Sequence, residues 1–466
     1  SAYLSRTFGT PGSDTLWTFS FWTKRGLVDG NAYRVLNADY AGNVNWGGID
    51  FGLTGDNAFE VHSYGTSSYR YKVVTTRQYR DPSAWYHIVV LYDSANSIIK
   101  IWTNGVQETS FQTASYPSTN MASLINVSGR DTKIGTTGYY LGSYYDGEMA
   151  EMYFIDNQRL DPSYFAQTDA LTGVWVPKKY TGTFANNSFY LPFTDTSSLT
   201  NLCKDVSGLG NNWTPTNISL TAGATYDSMI DVPYCTGQVG GTQPSGNYAI
   251  LNPINYLSIP AAAPNTSADG NLNITGVVGS YYNVSPSSIA LPSTGKFYCE
   301  IKYASGGLNG GSLGIFSNAY AGTIGSTGCF GVTWNAGAQY VMHGTNTSTS
   351  DANCPSAAGQ TFAIAVDMGA GKIWIGSDRA SSGTIAWMNS GVPGSGTNPL
   401  ISISGAGGLY TDWTIGSNIW YFAVTGAYSG GQIMQANFGQ RPFLNSPPSG
   451  FVALCAPNLP KSTIGQ

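Results

Sequence analysis

Short runs rich in aromatic and β-branched residues, each bounded by Gly, Asn, Asp, Ser or Pro, recur along this chain in two sets organised alike. The first set is W-T-F-S-F-W-T-K-R from Trp17 to Arg25, W-Y-H-I-V-V-L-Y-D from Trp85 to Asp93, I-I-K-I-W-T-N-G-V from Ile98 to Val106 and M-A-E-M-Y-F-I-D from Met149 to Asp156. The second is G-K-F-Y-C-E-I-K-Y from Gly295 to Tyr303, F-A-I-A-V-D from Phe362 to Asp367, G-K-I-W-I-G from Gly371 to Gly376 and Y-F-A-V-T from Tyr421 to Thr425. Runs of this length and composition, closed by turn formers, are the pattern of antiparallel strands. The expected fold class is all-β, with two antiparallel β-sandwiches in series.

A chain of 466 residues exceeds the size at which a single hydrophobic core stops growing, so more than one domain is expected. The first sandwich is assigned to residues 1–168 and the second to 293–458. Between them, residues 169–292 are rich in Pro, Asn and Ser and hold few strand-like runs, but Trp175, Trp213 and Tyr256 make the stretch too apolar for a free linker. It is expected to be an ordered connector packed on both neighbours. Residues 459–466 form a polar tail expected to lead into a further segment, and with the start at Ser1 without methionine the chain is expected to be a fragment of something longer. Asn104-Gly105 predicts a tight hairpin. D-P-S-Y-F-A-Q-T at Asp161 to Thr168 predicts a short helix, with Asp161 as N-cap and Pro162 in the first position.

Several function classes fall away on charge and composition. Only 10% of residues are charged and the net charge is −5, which gives no basic footprint for a nucleic acid backbone. No stretch approaches the roughly 20 apolar residues a membrane helix needs, and the opening residues lack a signal-peptide pattern. No membrane insertion is expected. The six cysteines are too few and too dispersed for a disulfide scaffold and form no C-x-x-C pair. Cys299 and Cys329 read as buried strand thiols, and a Cys203–Cys235 pair stays open.

Catalytic signals are weak. Glycan-cleaving sites on β-sandwiches need paired carboxylates on one face, and the nearest cluster is Asp146, Glu148 and Glu151. Alternation lets Asp146 and Glu148 share a face but sets Glu151 apart. His62, His87 and His343 lie outside any nucleophile-elbow motif, and His87 and His343 read as structural strand residues. No catalytic residue is assigned, and the chain is expected not to be an enzyme.

Binding is better supported. Loops that set aromatic rings beside Asn and Asp offer a flat apolar face for sugar C–H groups and polar partners for hydroxyls. Two such loops are N-V-N-W-G-G-I-D, with Asn45, Trp46 and Asp50, and Y-Y-L-G-S-Y-Y-D, with Tyr139, Tyr140, Tyr144, Tyr145 and Asp146. L-Y-T-D-W-T adds Trp413 in the second sandwich. The basic stretch from Tyr69 to Arg80 reads as an amphipathic strand whose Arg70 and Lys72 face solvent.

The first segment resembles a laminin-G-like, concanavalin A-like jelly roll, carried by F-S-F-W, W-Y-H-I-V-V, I-W-T-N-G and G-E-M-A-E-M-Y-F-I-D-N-Q-R-L-D-P-S-Y-F. The second resembles a SPRY-type sandwich, carried by G-K-F-Y-C-E-I, D-M-G-A-G-K-I-W-I-G and N-F-G-Q-R-P-F. Their order, with V-W-V-P-K-K-Y-T-G-T and G-N-N-W-T-P-T-N-I-S between them, is similar to large proteins of tailed bacteriophages, notably marine and cyanobacterial phages. The resemblance implies a virion localisation, as a tail fibre, head fibre or adhesin made in the host cytoplasm. Its implied partners are other virion proteins, identical subunits in a homotrimer, and bacterial surface polysaccharide or lipopolysaccharide. It brings no cofactor and no agreed catalytic residues. Laminin-G-like rims can hold calcium, for which Asp29, Asp39, Asp50 and Asp146 are the nearby oxygens, although no metal ligand is assigned. The leading expectation is a non-enzymatic fibre or adhesin binding host surface glycan through sandwich loops. A purely structural appendage or capsid decoration protein is the alternative, and a polysaccharide depolymerase is the third reading.

Overall fold

The computed structural model describes residues 1–39, 45–138, 141–235, 243–253, 265–277, 283–307, 309–320, 328–335, 338–354, 356–379, 384–426 and 431–460. The fold is all-β, and among the described residues its strand-to-strand ladders are antiparallel save where Val452–Ala453 runs parallel to Lys296–Ser305, with single parallel bridges at Asp231–Gly246 and Ile401–Tyr410. Two compact units divide the chain. One comprises Ser1–Thr221 with Tyr226–Ser228 and Val232–Tyr234, and the other Ala222–Thr225, Met229–Asp231 and Cys235–Gln466.

In chain order the first unit contains β1 (Tyr3–Thr7), β2 (Leu16–Arg25), β3 (Tyr33–Asp39), β4 (Trp46–Phe51), β5 (Ala58–Tyr64), β6 (Tyr69–Gln78), β7 (Trp85–Asp93) and β8 (Ile98–Thr103). It continues with β9 (Val106–Gln107), β10 (Phe111–Ser115), β11 (Asp131–Ile134), β12 (Gly147–Asp156), β13 (Ala166–Thr168), β14 (Trp175–Pro177), β15 (Phe189–Leu191) and β16 (Thr214–Thr216). One sheet has eight strands in the order β10-β6-β5-β4-β3-β11-β1-β16, and another has six in the order β15-β12-β2-β7-β8-β9. Alternation explains the core between them. Trp17, Phe19 and Phe21 of β2 point inward with Ile88 and Val90 of β7, and meet Ile49, Phe51, Phe59, Val61 and Val73 from the larger sheet. The other face of the six-stranded sheet is also covered. There Val89, Leu91, Tyr153 and Ile155 pack on Leu160, Phe165, Tyr180 and Tyr190.

The hairpin at Asn104-Gly105 has both residues at positive φ, 49° and 81°, as a tight two-residue turn requires. The expected helix at Asp161–Thr168 is corrected. Asp161 does cap a turn, accepting from Ser163 N at 2.8 Å, but the turn is a 3₁₀ turn limited to Pro162–Tyr164 and strand β13 follows at once. Pairing of β13 with β14 draws the chain back to extended form. An α-helix occurs instead at Leu199–Leu202, where the Ser198 hydroxyl accepts from Asn201 N.

The stretch 169–292 forms no separate body among the described residues. Its early strands join the first unit, β15 against β12 and β16 against β1. Its later ones join the second, Asn273–Thr275 against Ile433–Asn437 and Val284–Pro286 against Trp420–Thr425.

The second unit pairs Lys296–Ser305 with Thr361–Asp367 and with Ile433–Asn437 in one sheet, and Ser312–Ser317 with Cys329–Asn335 and Trp420–Thr425 in the other. Phe297, Ile301, Ile315, Val332, Phe362, Ile364, Phe422 and Val424 fill the core between them. All six cysteines are free thiols, so Cys203 and Cys235 are not bonded. Cys203 is instead part of the first unit's apolar core.

Candidate functional site

With both faces of its partner covered, the eight-stranded sheet presents the first unit's distinctive surface, the face turned away from the core. Inward positions on β4, β5 and β6 are Ile49 and Phe51, Phe59 and Val61, and Tyr71 and Val73. The alternate positions therefore line the outer face: Trp46, Gly48 and Asp50; Glu60, His62 and Tyr64; and Lys72. The register sets Asp50 opposite Glu60, Gly48 opposite His62, and His62 opposite Lys72. On β3, Arg34 pairs with Asp50 across the strands, next to a bulge between Arg34 and Leu36.

The result is a row of charges sealed against the sheet. Asp50 and His62 are 0% exposed and Glu60 is 1% exposed. The Arg34 guanidinium contacts one carboxylate oxygen of Asp50, His62 Nε2 lies 3.5 Å from the same oxygen, and Lys72 Nζ lies 3.3 Å from Glu60. Gly48 makes this packing feasible, since a Cβ there would fall 2.8 Å from Asp50 Oδ2 and 2.9 Å from the imidazole. Burial pushes the Asp50 carboxyl up to about 6 against the pull of Arg34. Burial first, and then the Asp50 charge, push Glu60 to about 7. His62 is held neutral, well below its usual range, by burial and then by Arg34 and Lys72.

Aromatic rings roof this row. Trp46 meets His62 edge-on at 4.6 Å and receives the Arg34 guanidinium at 5.1 Å. Tyr69 sits edge-on to His62 at 5.8 Å and to Tyr64 at 5.2 Å, with the Lys72 ammonium 4.6 Å above its own ring. Tyr69 is 41% exposed, and Trp46 and Tyr64 are half-buried. The outer face thus offers aromatic surface to solvent above a buried, oriented set of charges.

The sequence candidates are distributed unevenly over this geometry. Trp46 is part of the roof and Asp50 part of the sealed row. Asn45, just before β4, uses its carbonyl to accept from Arg130 at 2.7 Å. Tyr144 is half-buried with its ring 6.5 Å from Tyr3. Tyr145 shares a hydroxyl contact with Thr23, and burial pushes its phenol up to about 12. The Asp146 carbonyl accepts from Gly26 N at 3.0 Å. Tyr139 and Tyr140 lie outside the described residues. Trp413 is corrected. It is 1% exposed and packs in the second unit's core at 6.1 Å from Phe330 and 5.9 Å from Trp420, so it presents no face to a ligand. Lys72, expected to be solvated, turns onto Glu60.

The calcium candidates do not assemble. Asp29 accepts from Asn31 N and Tyr33 Oη in its own turn, and among the described residues no ligand cluster joins it to Asp39, Asp50 and Asp146. The residues missed from sequence are Arg34, Glu60, His62, Tyr64 and Tyr69. For Glu60, His62 and Tyr64 the signal was the run F-E-V-H-S-Y at Phe59 to Tyr64, in which apolar residues alternate with polar ones that a half-buried strand would turn outward.

The two remaining histidines are fully engaged. His87 Nε2 bonds to Ser20 Oγ at 2.9 Å and its Nδ1 accepts from Trp175 Nε1 at 3.1 Å, while its ring stacks on Trp22. His343 Nδ1 bonds to Asp412 at 2.5 Å and Nε2 to Thr347 at 2.7 Å, under a stacked Tyr410 ring at 4.2 Å. The loop carrying Trp413 is therefore docked onto its own sheet by Tyr410, Asp412 and Trp413 together.

Residues 6–161 match a laminin-G family model described as the concanavalin A-like lectin/glucanases superfamily, a third of the chain. No curated protein matches. Among solved structures, a Bacteroides ovatus protein assigned to carbohydrate binding is 15% identical at a TM-score of 0.32, over 46% of this chain and 55% of that one. The LG1-3 region of the laminin alpha2 chain is 9% identical at a TM-score of 0.34, over 95% of this chain and 63% of that one. The SPRY domain of human HERC1 is 13% identical at a TM-score of 0.27, over 39% of this chain and 96% of that one. The chain thus spans less than two thirds of the first two.

Proposed function

We propose that the first unit is a non-enzymatic glycan-binding module whose ligand lies on the outer face of the eight-stranded sheet, against Trp46, Tyr64 and Tyr69. The observation that carries this reading is the aromatic roof held over a buried charge row. Sugar rings stack their C–H faces on exposed aromatic surface while directional partners nearby select hydroxyls. The match of residues 6–161 to a lectin and glucanase superfamily supports the same class of ligand. A non-catalytic role is favoured because Asp50 and Glu60, although a carboxylate pair, are sealed. A glycosidic bond has no route between them in this conformation, and hydrolysis needs both to flank it.

The setting we propose is a virion appendage, a trimeric phage fibre or adhesin contacting bacterial surface polysaccharide or lipopolysaccharide. Its support is the order of sequence motifs alone. Light scattering on the purified chain tests the trimer, and a monomer would remove it.

A surface-glycan array with bacterial polysaccharides, probed with and without calcium, tests the binding. Selective binding weakened at least tenfold by Trp46→Ala or Tyr69→Ala, and unchanged by a substitution at the exposed Leu409 of the second unit, is the expected outcome. Binding indifferent to both aromatic variants would move the site off this face. Silence from folded protein across the array would favour the structural-appendage reading.

A further inference from the structure

Asp50, Glu60 and His62 each bring one ligand atom within 4.8 Å of the other two. They come from two adjacent strands, with Asp50 and Glu60 directly paired and His62 two residues along the same face. Neither ring nitrogen of His62, nor Asp50 Oδ1, nor Glu60 Oε1 has a hydrogen-bond partner among the described residues, while Glu60 Oε2 has only the Lys72 ammonium at 3.3 Å. Native interiors rarely leave even one buried polar atom unpaired, and each such atom calls for an explanation, an ion among them. Here four occur on three neighbouring side chains.

The charges facing the cluster narrow what can fill it. Arg34 and Lys72 offset the two carboxylates, so the cluster does not lack positive charge. It lacks a partner for the imidazole and for the spare carboxylate oxygens. Arg34 occupies only Oδ2 of Asp50, which leaves Oδ1 and fixes the plane of the carboxylate, as an outer-shell partner of a metal ligand does.

We propose that Asp50, Glu60 and His62 form a binding site for a divalent transition ion of the zinc class. One imidazole and two carboxylates suit zinc or cobalt, whereas calcium takes six to eight oxygens and disfavours nitrogen. Three protein ligands would leave a fourth position open on such an ion. Lys72 has to yield, and its partly exposed side chain already lies along the Tyr69 ring. The inference stands apart from glycan binding, since it concerns the sealed row and not the roof.

Cobalt(II) is the probe, added to the full chain after chelator treatment and followed by visible absorption, with zinc as competitor. The expected result is one equivalent of cobalt with the intense ligand-field bands of a tetrahedral nitrogen and oxygen site, abolished by zinc. His62→Gln and Asp50→Asn should remove the bands. Lys72→Met should tighten binding at least tenfold, because it removes the competing ammonium while leaving the ligands. That variant keeps the test decisive if the others fail to fold, as near-ultraviolet circular dichroism would reveal. Absence of bands from folded wild type and Lys72→Met overturns the proposal. So does retention of the bands in folded His62→Gln, since His87 and His343 have both nitrogens engaged.

Discussion

Glu60 in the first unit and Glu300 in the second are both buried strand glutamates, 1% and 3% exposed, and burial raises the pKa of each. Their surroundings differ completely. Glu300 accepts from Leu444 N and Asn445 N at 2.8 Å each, from Asn445 Nδ2 at 3.2 Å and from Tyr298 Oη at 2.9 Å. Glu60 has an ammonium 3.3 Å away and an acidic neighbour across the strand. Glu300 is a latch that holds the segment after Arg441 against the sheet. Glu60 serves no such purpose, and a buried charge retained without full compensation is more often kept for function than for stability. Equal burial therefore says little by itself, whereas the count of satisfied oxygens separates a structural acid from a candidate functional one.

The largest effect should come from Glu300→Ala. Four donors lose their acceptor at once, two of them backbone N–H groups, so the second unit should lose about 3 kcal/mol or more. Peptide-resolved hydrogen exchange would show protection falling around residues 296–305 and 441–445, with the first unit unchanged. If the loss is below about 1 kcal/mol, the latch is not one and the contrast with Glu60 fails.

Glu60→Gln should act with the opposite sign near neutral pH. Unfolded, a glutamate titrates near 4.5, and folded Glu60 titrates at about 7, so between these values the folded state binds more protons. Stability from this group then falls as pH rises through that window, by up to about 3 kcal/mol once both states are ionised. Asp50, at about 6 when folded, adds the same trend over its own window. His62 opposes both, since its lowered pKa costs stability as pH falls below about 6.5, where the unfolded imidazole takes up a proton. Glutamine carries no charge, so the variant should gain on wild type steadily from pH 5 to pH 8 in urea unfolding of the first unit. A flat difference across that range would mean Glu60 is solvated or fully paired, and the comparison would lose its basis.

How much of this was legible depended on what set each feature. Strand identity was carried by composition and alternation, so the span from Trp17 to Arg25 is a strand almost to the residue, β2 beginning one residue earlier. The Asn104-Gly105 turn was legible because few residue pairs accept two positive φ values. The outer-face cluster was only half legible. Alternation turns Glu60 and His62 outward, but whether Asp50 meets Glu60 depends on the turn between Phe51 and Ala58, which fixes the register. The bulge between Ala150 and Tyr153, where Glu151 has φ of 51°, likewise breaks the strict alternation on which Glu148 and Glu151 were assigned to opposite faces. Trp413 was illegible for another reason. In a β-protein an aromatic residue in a polar loop reads the same whether the loop stands free or folds back, and only the contacts of Tyr410 and Asp412 decide that it folds back.

Those contacts yield the smallest and most pointed prediction. Asp412, His343 and Thr347 stand in the order acid, imidazole, hydroxyl, an order that also serves to activate nucleophiles. In the structural reading the chain merely ties the loop to the hairpin of Ala338–His343 and Asn346–Thr349. Thr347→Val should then cost about 1 kcal/mol, the worth of one hydrogen bond, visible as faster exchange at residues 346–349 and nowhere else. In the catalytic reading Thr347 would be labelled by a phosphonate that traps activated hydroxyls, and His343→Gln would abolish the labelling. Thr347 is exposed, so a reagent can reach it, and a failure to label would reflect the absence of activation. The second unit's histidine would then be what its satisfied nitrogens indicate, a fastener, in contrast to the unpartnered His62 of the first.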